Sequence, residues 1–122
     1  MIQIFFWQSY LLNSAIVIQY EHFPDSTYME VRKNHKITVV TVGKLCWLTG
    51  QVVALQTWQG SGKGVDIVLP KPLEETVSGA YGFLNDDIVA RFIITTSGDL
   101  RFQNGIANRT YGMSVMYVMA VE

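Results

Sequence analysis

Residues branched at Cβ dominate this 122-residue chain: 14 Val, 10 Ile and 9 Thr account for 33 positions. Leu and Ala, the apolar residues that favour helices, account for only 15 positions. A side chain branched at Cβ loses rotamer freedom in a helix but packs well on a pleated sheet. The sequence therefore predicts an all-β protein, and its length predicts a single domain over residues 1–122.

Turn-forming residues such as Asn34, Gly43, Gly98 and Asn104 divide the chain into short apolar segments. The predicted strands are about 2–7, 15–21, 27–33, 36–42, 45–56, 64–69, 79–84, 88–96, 99–103 and 112–121. Roughly eight to ten short strands at regular spacing are typical of an antiparallel β-sandwich or a small, jelly-roll-like barrel.

Apolar residues make up 49% of the chain and charged residues only 16%, with a net charge of -1. This balance provides no basic surface for nucleic acid. No apolar run approaches the roughly 20 residues that cross a bilayer as a helix, so membrane insertion is not expected. A small monomer normally covers its surface with charge, and the low charge therefore suggests that part of the surface is buried in an oligomer.

The last predicted strand is apolar on both faces. One face carries Met113, Val115, Tyr117, Met119 and Val121, and the other carries Ser114, Met116, Val118 and Ala120. Either both faces are covered within the domain, or one faces the core and the other a neighbouring subunit. We favour the second arrangement because a domain this small has few layers. The predicted oligomer-interface residues are Met116, Val118 and Ala120.

Residues of the types needed for catalysis or metal binding are sparse. Cys46 is the single cysteine, which excludes an internal disulfide. It lies in an apolar run and is expected to be buried. His22 and His35 lie in different turns, where we expect them to face solvent, and no metal site is predicted. The glycine-rich loop at 60–64 lacks the phosphate-loop spacing. The sequence therefore predicts no cofactor and no enzymatic activity.

Aromatic residues beside glycines suggest a carbohydrate platform, because aromatic rings stack on sugar rings while polar side chains bind the hydroxyl groups. The predicted saccharide-binding residues are Trp58, Tyr81, Asp86, Asp87, Arg109 and Tyr111. The alternative is that these aromatic side chains pack onto the sheet and that the aspartates simply form a turn or bind calcium. Trp47, in the middle of a predicted strand, is expected in the core.

Four segments carry a family resemblance: VRKNHKITVVTVGKLCWLTGQVVAL, VDIVLPKPLEE, ARFIITTSGDLRF and YGMSVMYV. Over residues 28–121 the chain resembles the C-terminal head (receptor-binding) domains of tail fibre and baseplate proteins from phages of Gram-positive bacteria. Those domains often have an aromatic residue followed closely by a second proline after the Leu-Pro step. Here Pro72 comes early and Leu73 replaces the aromatic residue.

The resemblance implies a β-sandwich or barrel head that forms a homotrimer at the virion tail tip, beside other tail or baseplate proteins. Such a head acts outside the cell and binds host cell-surface carbohydrate without catalysis or a cofactor. One alternative is a structural virion protein without a receptor, which burial of Trp58, Tyr81 and Tyr111 would favour. Others are a small polysaccharide-active enzyme and a trimeric sandwich of the complement or tumour-necrosis-factor type.

Overall fold

The described residues form an all-β fold, as predicted. The computed structural model describes residues 15–24, 26–82 and 90–120, with the backbone alone at 81 and 82. Within this part of the chain there is no helix, and the ten strands are β1 (Ile16–Tyr20), β2 (Met29–Val31), β3 (Ile37–Val42), β4 (Leu45–Ala54), β5 (Lys63–Val68), β6 (Thr76–Gly79), β7 (Tyr81–Gly82), β8 (Arg91–Ile94), β9 (Asp99–Gln103) and β10 (Thr110–Val118). The strand predicted at 2–7 lies outside the described residues.

The strands form two antiparallel sheets. The large sheet has the order β1-β3-β4-β10-β7, with β2 also pairing with β4, and the small sheet has the order β5-β9-β8-β6. Neither sheet closes on itself, so the sandwich is the correct one of the two predicted architectures. The longest ladder joins β4 to β10 through nine residue pairs, from Thr110 with Val53 to Val118 with Leu45.

The turn residues named from the sequence have the expected backbone conformations. Asn34, Gly43, Gly98 and Asn104 all have positive φ, between 58° and 87°. Gly pays no steric cost there, and Asn tolerates the left-handed region better than most residues. The strand expected at 79–84 contains β7 and only the last residue of β6, so β6 (Thr76–Gly79) is missed by the sequence prediction.

The core lies between the sheets and centres on an aromatic cluster. Phe102 of the small sheet stacks on Phe92 at a centroid distance of 4.7 Å and meets Tyr111 of the large sheet at 4.8 Å. Trp58 contacts the Phe102 ring edge-on, at a centroid distance of 5.4 Å. Each such aromatic pair contributes about 0.5–1.5 kcal/mol beyond the burial of area. Phe102 therefore ties the two sheets together.

One glycine shapes the edge of the large sheet. Strands β2 and β3 lie on the same side of β4, where Val31 pairs with Val52 and Thr38 with Thr49. The connection between them, residues 32–36, and the first residue of β3 pass Gly50, where φ is 155°. A Cβ on Gly50 would lie 2.5 Å from Cδ1 of Ile37 and 3.0 Å from the carbonyl oxygen of Lys36. The missing side chain thus lets the β2–β3 turn fold close against β4.

Gly50→Ala is expected to lower the free energy of unfolding by about 2–4 kcal/mol, because the added methyl group overpacks Ile37 in an unfavourable backbone conformation. Gly79→Ala is the matched control, since a Cβ there meets nothing within 4 Å. It should change stability by less than about 1 kcal/mol. Guanidinium unfolding followed by circular dichroism measures both values. Equal losses in the two variants would contradict this role for Gly50.

Candidate functional site

The outer face of the large sheet carries a continuous row of apolar side chains. Residues paired across neighbouring strands point to the same side of a sheet. Val40 pairs with Val17 on one side and with Trp47 on the other, and Trp47 pairs with Met116. The next row consists of Val42, Leu45 and Val118. The seven residues, here called the apolar face, span four strands: Val17, Val40, Val42, Leu45, Trp47, Met116 and Val118.

Six of these seven side chains are exposed, and Val40 is half-buried. Met116 is 60% exposed, Val17 58% and Trp47 49%. The two interface residues predicted within β10, Met116 and Val118, therefore lie on a surface that the described part of the subunit does not cover. Ala120, the third, is exposed just beyond the end of β10. The sequence prediction missed the partners on β1, β3 and β4, where apolar residues occupy both faces of the strand, as they do in β10.

A row of uncharged polar side chains borders the apolar face. This polar row consists of Gln19, Thr38, Thr49 and Ser114. Trp47 donates its Nε1 hydrogen to Oγ of Ser114 at 3.4 Å, and Gln19 donates to Oγ1 of Thr38 at 3.4 Å. Charge begins one row further, where Lys36 pairs with Glu21 at 3.6 Å. The surface therefore changes from apolar to polar to charged along the strands.

Trp47 corrects one prediction directly. The sequence predicts it in the core, but its neighbours Cys46 and Leu48 occupy the inner face of β4 and are fully buried. Because successive side chains on a strand alternate, Trp47 must point outward. An exposed tryptophan beside exposed aliphatic side chains is typical of a protein interaction surface.

Directly behind the apolar face, Cys46 and Tyr117 form a buried pair between β4 and β10. Burial raises the pKa of the Tyr117 hydroxyl, and the neighbouring Cys46 raises it further. Burial likewise raises the pKa of the Cys46 thiol, with a hydrogen bond to Tyr117 acting in the opposite direction. Tyr117 also donates to the carbonyl oxygen of Pro70 at 2.8 Å. Cys46 is thus a buried thiol, as predicted, and its raised pKa disfavours the thiolate form.

The structure corrects the prediction that Trp58 and Tyr111 form a sugar-stacking surface. Trp58 is only 9% exposed and Tyr111 only 2%. Both rings pack against Phe102, so their faces are covered by the core. The glycine-rich loop that follows Trp58 in the sequence favours a surface position for this residue. In the structure, however, Gly105 leaves room for the indole ring in the core, since a Cβ at position 105 would lie 2.8 Å from it.

The remaining predicted saccharide residues are not brought together by the described structure. The backbone of Tyr81, in β7, pairs with Gly112 of β10. The side chain of Tyr81 is outside the described part of the structure. Asp86 and Asp87 lie outside the described residues. Arg109 is exposed in the turn before β10. A saccharide-binding role for these four residues stays a prediction.

The two histidines, which the sequence places in separate turns, line one cleft. His22 follows β1 and His35 lies in the β2–β3 turn, and both face the same cavity beside Glu21 and Lys36. Across residues 15–24, 26–82 and 90–120, no three His, Cys, Asp or Glu side chains are placed to hold a metal ion. The same part of the chain contains no helix that could span a membrane.

No protein-family model, curated protein or solved structure matches this chain.

The free energy of unfolding should fall at alkaline pH because Tyr117 and Cys46 are held un-ionised in the folded state. The unfolded chain ionises at ordinary values, near pH 8.5 for Cys and near pH 10 for Tyr. The contribution of Cys46 and Tyr117 to the free energy of unfolding is therefore complete below about pH 8 and is lost as the pH rises. Tyr117→Phe should reduce the slope of this loss between about pH 9 and 11. Denaturant unfolding at several pH values measures it, and an unchanged slope would contradict the assignment to Tyr117.

Proposed function

We propose that this chain is a non-catalytic β-sandwich subunit that assembles with copies of itself through the apolar face. The observation that carries the proposal is the row formed by exposed Val17, Trp47 and Met116, which lie on three strands of one sheet and are connected through half-buried Val40. Leaving these side chains in water costs free energy, at about 25 cal/mol for each Å² of apolar surface. Covering the face recovers that free energy.

The charge distribution favours a second copy of this chain as the partner. The apolar face and the polar row contain no charged side chain, so two copies meet without like-charge repulsion. The charged pair Lys36–Glu21 lies at the border. An apolar centre with a polar rim is the usual composition of a protein interface.

The size of the face is also appropriate for self-association. Together with the polar row, the apolar face covers four strands about 4.8 Å apart and three rows about 6.8 Å apart, a flat area of roughly 400 Å². Two such faces contribute about 800 Å² before side-chain relief is counted, close to the roughly 1,000 Å² of a specific interface. An interface of this size predicts association that weakens on dilution.

The resemblance to phage head domains supplies the proposed setting, a homotrimer at the virion tail tip. A trimeric β-sandwich head needs an uncharged sheet face directed towards its neighbours, and the apolar face fits that requirement. The burial of Trp58 and Tyr111 favours a structural role over saccharide binding at those two rings. Adhesion to host cell-surface carbohydrate remains part of the proposal, resting on the resemblance alone.

Val118→Lys should disrupt assembly without unfolding the subunit, because it places an unpaired charge within the apolar face. We expect the wild type to sediment at three times the subunit mass of 13.8 kDa. The variant's dissociation constant should rise at least tenfold, while its stability as a monomer changes by less than about 1 kcal/mol. Sedimentation velocity over a concentration series measures the dissociation constant, and denaturant unfolding measures the stability of the monomer.

Val68→Lys is the matched control, because Val68 is 69% exposed on the small sheet, outside the apolar face. It should leave the assembly unchanged. A wild type that stays monomeric at high micromolar concentration would contradict the proposal, as would equal disruption by both variants. A species of two subunits would keep the interface and overturn the threefold arrangement.

Adhesion has its own test, the binding of the assembled protein to an array of bacterial surface glycans. The resemblance predicts retention of at least one glycan class, with loss of binding in Val118→Lys through loss of multivalency. An assembled wild type that binds no glycan would favour the purely structural alternative.

A further inference from the structure

A cleft at one end of the large sheet concentrates the few charged side chains of this chain. The cavity has a volume of about 560 Å³, within the range of small-ligand sites. It is lined by six titratable residues from the end of β1, from β2 and from the β2–β3 turn: Glu21, His22, Glu30, Lys33, His35 and Lys36. A second cavity of about 500 Å³ shares Glu21, His22 and Lys36 and extends the cleft along β1.

Both carboxylates in this cleft already have partners. Glu21 pairs with Lys36 at 3.6 Å, and Glu30 accepts a hydrogen bond from Oγ of Ser26 at 2.9 Å. Among the described residues, the side chains of Lys33, His22 and His35 have no hydrogen bond or ion pair. The groups free to bind a ligand are therefore an ammonium group and two imidazoles.

The charges of the lining are balanced, with two lysines against two glutamates. Lys36 is paired with Glu21, which leaves the Lys33 ammonium group and the N–H donors of the two imidazoles to contact a ligand. Asp25, three residues after His22 in the sequence, lies outside the described residues.

We propose that this cleft binds an anionic group, with Lys33 supplying an ammonium group and His22 and His35 supplying imidazole N–H donors. The proposal does not depend on assembly, because every lining residue belongs to one subunit. It gives the two histidines a common role that their separation in sequence does not suggest.

Sulfate is the appropriate probe because it carries two negative charges and accepts hydrogen bonds. Titration of the full chain with sodium sulfate at constant ionic strength, followed by amide chemical shifts, should give a saturable site at residues 20–36.

Lys33→Gln should raise the dissociation constant for sulfate about fivefold or more, because it removes the unpaired positive charge. The double variant His22→Ala, His35→Ala should also weaken sulfate binding, because it removes the imidazole donors. All three side chains are exposed, so these variants should keep the wild-type fold, which the amide spectrum verifies directly. Lys44→Gln is the control, because Lys44 is an exposed lysine in the β3–β4 turn. Shifts that do not saturate, or equal weakening by Lys33→Gln and Lys44→Gln, would overturn the site. Unchanged sulfate binding in the double variant would overturn the role of the histidines.

Discussion

The two-residue period of the β4–β10 ladder determines both surfaces of the large sheet together. Nine consecutive pairs hold these strands in one register. That register directs Cys46, Leu48 and Tyr117 into the core and Trp47, Met116 and Val118 outward. A shift of β10 by one residue would exchange its inward and outward side chains. The apolar outer side is therefore a consequence of the same pairing that builds the core, and the two layers formed by the described residues leave it uncovered.

Much of the fold could be predicted from local chemistry. The prevalence of Val, Ile and Thr indicates sheets, and Asn34 and Gly43 lie in turns with the positive φ that their residue types tolerate. Alternation in β10 also identifies Met116 and Val118 as outward residues. Pairing between distant strands is harder to infer, since the row from Val17 through Trp47 to Met116 depends on three registers that local patterns do not determine.

The aromatic residues show why site predictions from sequence neighbours are weak. Trp58 precedes a glycine-rich loop, yet it is a core residue because Gly105, nearly fifty positions away, leaves space for its ring. Trp47 lies within an apolar run, yet it is exposed because its strand position alternates with Cys46. The burial of Trp58 thus depends on a tertiary neighbour, and the exposure of Trp47 depends on which face of its strand the second sheet covers. The cleft containing His22 and His35 arises in the same way, from the close approach of the β2–β3 turn that Gly50 permits.

The central claim is that a second copy of the chain covers the apolar face, and thiol labelling of Met116→Cys tests it most directly. Cys46 is fully buried and reports any global unfolding in the same sample. Covering by a second copy predicts that the rate of labelling at position 116 falls at least tenfold as the protein concentration rises from nanomolar to high micromolar, with Cys46 protected throughout. Fast labelling at every concentration would show an open face, and slow labelling at every concentration would show a face covered within one chain. Either result would contradict assembly through this surface.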